Sequence, residues 1–235
     1  MPERLFTILS TAALPFDRIP QIPETVDVKV VPFLEISPLV DTILETEVAI
    51  LSAKKITAVF TSAHAVHIVA GLLKQKPNWK IYCIRNETRI AVVNWFGSGA
   101  NIKFASNALF LSKYMIADEI REAVFFCGDQ RMDILPDNLR QHGVRLTERV
   151  VYKTVLTPVY LNEHPDAILF FSPSAVRSFF SVNALLSQTT VFAMGTTTAA
   201  ALIQFTTNPV IISPEADKAF VFNMAMEYAG KHPII

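Results

Sequence analysis

Val59-Phe60-Thr61-Ser62-Ala63-His64-Ala65-Val66 returns 110 positions later, 59 to 169, as Leu169-Phe170-Phe171-Ser172-Pro173-Ser174-Ala175-Val176. In both copies a short apolar run of strand length ends at a serine and a helix-like stretch begins. At the same offset Ile81-Tyr82-Cys83-Ile84-Arg85-Asn86-Glu87-Thr88 meets Val191-Phe192-Ala193-Met194-Gly195-Thr196-Thr197-Thr198, and Ile102 meets Ile212. Register therefore holds over three strands without a gap, which makes the repeat structural.

Ten runs rich in Val, Ile and Phe lie near residues 5–9, 27–32, 57–61, 81–84, 101–104, 123–127, 144–152, 167–171, 191–194 and 209–212. They alternate with helix-like stretches, the pattern of a parallel sheet covered by helices. The first copy continues through a fourth strand, Val124-Phe125-Phe126-Cys127, a helix from about Asp133 to His142, and a fifth strand ending at Tyr152. The C-terminal copy stops after three strands, and Thr7-Ile8-Leu9 and Val26-Asp27-Val28-Lys29-Val30-Val31 supply the missing pair. The expected fold is two similar parallel-sheet α/β domains of flavodoxin-like type. One is discontinuous (1–33 plus 157–235) and the other is inserted (37–152). Two crossings near 32–37 and 152–157 form a two-stranded hinge, and a polar ligand site is expected in the cleft between the domains.

Composition narrows the function classes. Of 235 residues 51% are apolar and 18% charged, the balance of an ordinary globular protein, and 235 residues suit two domains. Lys+Arg and Asp+Glu both number 21, so no basic surplus exists to neutralise nucleic-acid phosphates. Met1-Pro2-Glu3-Arg4-Leu5-Phe6 does not read as a secretory signal, and no uncharged apolar run approaches the roughly 20 residues of a membrane span, so a cytoplasmic protein without membrane contact is expected. Cys83 and Cys127 lie far apart within or at the end of apolar runs and read as reduced core residues.

Ligands of open parallel sheets bind outside the carboxyl ends of the strands, where the following helices present free N–H groups. Ser62 and Ser172 end strands there, and Thr88 and Thr198 stand 26 residues further on, 62 to 88 and 172 to 198. Two readings apply: the corners hold the anionic groups of one ligand, or the hydroxyls simply cap helices. His64 and His67 have a spacing that could ligate a metal, but no third ligand is near, so no metal is expected. His64 reads as a cleft donor or as a surface residue. Arg131 either reaches a ligand carboxylate or pairs with Asp129 or Asp133.

Phe170-Phe171-Ser172-Pro173-Ser174-Ala175-Val176 and Gly195-Thr196-Thr197-Thr198-Ala199 resemble the strand-to-helix signature and the Gly-x-x-Thr-Ala corner of uroporphyrinogen-III synthases. Phe126-Cys127-Gly128, Arg131, Leu135, Leu139, Gly143-Val144 and Val151-Tyr152 are similar to that family's second-domain pattern, as is Phe60-Thr61-Ser62 followed by Ala65-Val66. The motifs occur in the family's order, and the nested layout is also the family's. Departures are Arg85-Asn86-Glu87-Thr88-Arg89 in place of the second Gly-x-x-Thr-Ala, and Thr11-Ala12-Ala13 where many members carry an Arg.

The resemblance implies a cofactor-free enzyme of haem biosynthesis. It would cyclise the linear tetrapyrrole hydroxymethylbilane to uroporphyrinogen III, with loss of water and inversion of ring D, usually proposed to pass through a spiro intermediate. Positioning and electrostatics would supply most of the catalysis. Substrate contacts are expected at Ser62, His64, Thr88, Arg131, Ser172, Ser174, Gly195, Thr197 and Thr198. A monomer that makes transient contact with the preceding pathway enzyme is expected. The alternative is a non-catalytic tetrapyrrole- or anion-binding relative, which Arg85 and Glu87 would accommodate. Tyr152, at the family's Val-Tyr position, is the expected catalytic acid, because a phenol is protonated at neutral pH. Against that stands a tyrosine that only packs its ring at the hinge.

Overall fold

The computed structural model describes residues 4–99 and 101–232, which form two compact units. One comprises the described part of Met1–Glu35 with Val155–Ile235, and the other is Ile36–Thr154. In the first unit β1 (Phe6–Ser10), β2 (Val26–Val30), β9 (Ala167–Phe170), β10 (Thr190–Ala193) and β11 (Val210–Ile212) make a parallel sheet in the order β11-β10-β9-β1-β2. In the second, β3 (Leu34–Pro38), β4 (Thr57–Phe60), β5 (Lys80–Ile84), β6 (Ile102–Ala105), β7 (Glu122–Gly128) and β8 (Arg145–Leu156) take the order β3-β8-β7-β4-β5-β6.

Laying β9, β10 and β11 over β4, β5 and β6, as the repeat requires, also lays β1 over β7 and β2 over β8. The two sheets are thus one design entered by the chain at different strands. Each has its point of reversed strand order between the same two strands, β9 and β1 in one unit and β4 and β7 in the other, where α/β sheets take their ligands.

Strand alternation builds the cores. In the second unit Ala58, Phe60, Ile81, Cys83 and Phe126 face α1 (Thr42–Ser52), α2 (Ala63–Leu72) and α3 (Glu87–Phe96). Val59, Tyr82, Phe125 and Cys127 face α4 (Ala108–Ala117) and α5 (Ile134–Gln141). In the first unit Leu9, Ile168, Phe170 and Val191 pack with α6 (Pro173–Phe180) and α7 (Thr196–Leu202). Phe6, Ile8, Leu169 and Phe192 pack with α8 (Lys218–Lys231). All four residues of β9 are buried, as a near-continuous apolar run in a central parallel strand should be.

Two details differ from the sequence expectation. Residues 34–38, read as a crossing, form strand β3, which pairs with β8. Backbone bonds from Leu39 N–H to the Val151 carbonyl (2.9 Å) and from Thr157 N–H to the Phe33 carbonyl (3.1 Å) give that pair an antiparallel sense. β8 does not end at Tyr152 but runs on to Leu156, because β3 satisfies its outer edge. Both strands pass from one unit into the other. Cys83 and Cys127 are free and buried, and burial pushes both thiols up to about 11. No helix among the described residues is long and apolar enough to cross a membrane.

Candidate active site

Ser62 and Gly128, at the carboxyl ends of β4 and β7, come together with Tyr152 from within β8, across the reversal point of the second unit. Residues 58, 60 and 62 alternate onto one face of the sheet, as do 126 and 128, so Ser62 and Gly128 lie on the face that carries Phe60 and Phe126. Tyr152 reaches that face through a β-bulge. Cys127 pairs with Val150, and Gly128 pairs with Tyr152, so β8 carries one extra residue there. Successive residues normally face opposite ways, yet Val151 and Tyr152 both join the Phe60–Phe126 cluster.

Gly128 makes the next step possible. A Cβ at this position would collide with Cε2 and Cζ of Tyr152, so the outer end of the ring lies directly over the glycine. The phenol then reaches Ser62 on the far side of β7, with 3.0 Å between the two hydroxyl oxygens. The His64 ring meets the tyrosine ring edge-on, centroids 5.9 Å apart. Burial raises the phenol's pKa above its ordinary value, while the Ser62 hydrogen bond pulls it down in part. The group is protonated at neutral pH and half-buried beside the ends of β4 and β7, where it can give a proton to a bound ligand.

The loop after β7 is tied to β8 at three points. Asp129 N–H donates to the Tyr152 carbonyl (3.1 Å), the Asp129 carboxylate accepts from Thr154 N–H (2.9 Å), and Gln130 Nε2 donates to the Thr154 carbonyl (3.2 Å). Arg131 pairs with Glu148 and with Asp133. It thus takes one of the surface partners expected for it and adds Glu148, which also binds Arg140. Gly128 and Asp129 were not among the expected site residues. The available signal was a glycine directly after an apolar strand, where a neighbouring group can approach the backbone.

The serine corners differ. Ser172 caps α6, accepting from Ala175 N–H at 3.2 Å. Ser62 has the same extended backbone before α2 but makes no side-chain cap bond. Ser174 is buried, and its hydroxyl accepts from Arg177 at 3.0 Å. Thr88 and Thr198 lie inside the first turns of α3 and α7, 4% and 3% exposed, so neither presents an open hydroxyl. Gly195 precedes α7 with extended backbone, a Cβ there would meet nothing, and Thr197 is exposed. In the repeat-equivalent corner the guanidiniums of Arg85 and Arg89 lie 5.7 and 4.0 Å from the Phe104 ring centroid, while Asn86 carries the positive φ of 65°. Among the described residues no cluster of His, Cys, Asp and Glu could hold a metal.

A cavity of about 680 Å³ in the same unit lies at the opposite edge of the sheet, lined by Lys54, Lys55, Lys80, Arg121 and Arg145 with Glu119 and Glu122. Lys54 and Arg121 follow the C-terminal ends of α1 and α4, where cations balance helix carbonyls. This edge lacks the helix N-termini that lie beside the Tyr152 site.

A family model for uroporphyrinogen-III synthase HemD matches residues 24–220. Among solved structures, uroporphyrinogen-III synthetase from Helicobacter pylori 26695 aligns with a TM-score of 0.66 at 18% identity, covering 95% of this chain and 100% of that one. A mutant uroporphyrinogen III synthase from the extremely thermophilic bacterium Thermus thermophilus aligns with a TM-score of 0.58 at 13% identity, covering 97% and 100%. At such identities these two structures speak for the fold. Comparison with curated proteins finds no match.

Proposed function

The chain belongs to the uroporphyrinogen-III synthase family, enzymes of porphyrin biosynthesis, and on that premise we propose that it closes hydroxymethylbilane to uroporphyrinogen III with inversion of ring D. The proposal includes substrate uptake in the cleft expected from the sequence, with carboxylates held at the strand-end corners of Ser172 and of Gly195 to Thr197. The observation that carries it is the Tyr152 phenol, protonated and held over Gly128 at the ligand edge of the sheet.

The chemistry asks little else of the protein. The phenol gives its proton to the hydroxymethyl oxygen as the C–O bond breaks, water leaves, and the electron-rich pyrrole supports the carbon left behind. Ring closure later releases a proton from a pyrrole carbon, which restores the phenol, so water is the only net loss. A folded chain that holds the linear substrate with its substituted carbon toward the reacting centre supplies the rest. Arg131, paired with Glu148 and Asp133, orders the loop beside the phenol.

The test is to supply freshly made hydroxymethylbilane and measure the ratio of isomer III to isomer I. A large excess of III is expected, and Tyr152→Phe should lower its rate of formation by about ten- to a hundredfold, the low end for acid catalysis. A second reading, a binding relative without catalysis, rests on the arginines stacked on Phe104 at the departing corner. It would give product binding with no isomer III above the spontaneous background.

A further inference from the structure

We propose that Ser62 is the positioning residue of this reaction: its hydroxyl holds the Tyr152 phenol over Gly128, then donates to the phenolate oxygen left when the proton is given up. The proposal rests on the reading of Tyr152 as the acid. It replaces the expected role of Ser62 as a holder of substrate carboxylates.

The internal repeat supplies the control. Ser62 and Ser172 are counterparts, each with extended backbone ahead of a helix, φ −144°, ψ 134° and φ −158°, ψ 156°. Serine in that position ordinarily turns its oxygen back to an N–H of the first helical turn. Ser172 does so, whereas Ser62 faces Tyr152 and leaves its helix without a side-chain cap. Two independent features serve the same contact. The bulge in β8 brings Tyr152 to the face of Ser62, and the missing side chain of Gly128 clears the path between them.

A hydroxyl suits both halves of the proton transfer. In the free site the phenol's one proton is donated to Ser62 Oγ; when it turns to the leaving oxygen, the serine O–H can rotate to donate to the phenol oxygen and keep that bond with the phenolate. No atom is gained or lost at Ser62, and the proton returned at ring closure resets the pair. Among the described residues, Cys127 and Asp129 disfavour ionisation of the phenol, and the His64 ring packs against it. The Ser62 hydrogen bond, by contrast, favours the ionised form of the phenol.

The experiment compares Ser62→Ala, Ser62→Thr and Tyr152→Phe in the full chain. It reads steady-state kinetics with hydroxymethylbilane and the titration of Tyr152 by NMR with carbon-13 at the phenol carbon. Ser62→Ala should lower kcat about tenfold, the worth of one hydrogen bond to a charged oxygen, leave KM unchanged and raise the phenol's titration midpoint. Ser62→Thr, which keeps the hydroxyl, should restore both to within about twofold. Should the alanine variant not fold, Ser62→Cys provides the same comparison with a weak donor. Unchanged kcat, or a change in KM alone, overturns the role of Ser62; if Tyr152→Phe still loses rate, the acid reading survives that result. Full turnover by Tyr152→Phe overturns both.

Discussion

Among the glycines, Gly128 is the one where an added methyl group would collide with a neighbouring side chain. Its backbone is not in the left-handed region, so the requirement for glycine comes from the Tyr152 ring above it. Gly128→Ala must either push the ring off Ser62 or strain the bulge, an overpacking cost of about 1–3 kcal/mol. We expect that loss in urea denaturation and a catalytic rate no better than that of Tyr152→Phe. In a Tyr152→Ala background the same substitution should cost much less, since the obstructing ring is gone. Equal costs in the two backgrounds would refute the clearance argument. A second residue reports on pH. Asp118 is held down to about 2, chiefly by the Lys103 hydrogen bonds and then by the Tyr82 phenol. A carboxylate whose folded pKa lies below the unfolded value of about 3.9 stabilises the fold above that pH. The contribution is lost as pH falls toward 2. Asp118→Asn should therefore flatten the acid limb of the stability curve between about pH 4 and 2, as read by thermal melts across that window. An unaltered acid limb would show that other groups set it.

At the scale of elements, the two copies of the repeat should answer one substitution differently. Ser172→Ala removes the cap of α6 and should cost about 1 kcal/mol, with faster hydrogen exchange at Ala175. Ser62→Ala removes no cap, so exchange in the first turn of α2 should stay as it was. Faster exchange there would return Ser62 to a capping role. The elements themselves were largely legible, since unbroken register between 59–88 and 169–198 already implies two copies of one sheet. Strand β3 escaped because Leu34-Glu35-Ile36-Ser37-Pro38 is short, partly polar and closed by proline, the signature of an edge strand, whose evidence lies in its partner β8. The bulge escaped for a deeper reason. Alternation along β8 says that Val151 and Tyr152 face opposite ways, and only packing against Phe60 and Phe126 puts both on one face. Of the candidate site, the strand ends could be read from the sequence and the contacts could not. No spacing in the sequence tells that Ser62 leaves its helix while Ser172 caps, or that Thr88 and Thr198 are buried inside their helices.

At the scale of the molecule, the order β11-β10-β9-β1-β2 puts β1 in the interior of a sheet whose other half comes from the far end of the chain. Removing residues 1–33 would strip β9 of one hydrogen-bonded neighbour along a strand whose four residues are all buried. Its exposed backbone groups and apolar side chains would then have no partner. The deletion also takes five buried apolar side chains, Phe6, Ile8, Leu9, Leu14 and Phe33, from the two cores of that unit. At about 1.5–3 kcal/mol each they are together as large as the whole stability of a marginally stable fold, about 5–15 kcal/mol. The sheet of the other unit begins with Leu34 and keeps every strand. In the truncated chain we therefore expect residues 167–232 to exchange amide hydrogens as an unfolded segment does, while 39–151 retain slow exchange in β4, β5 and β7. Retained protection in β9 and β10 would mean that the C-terminal strands hold a sheet without β1, and the nested assembly of this unit would have to be abandoned.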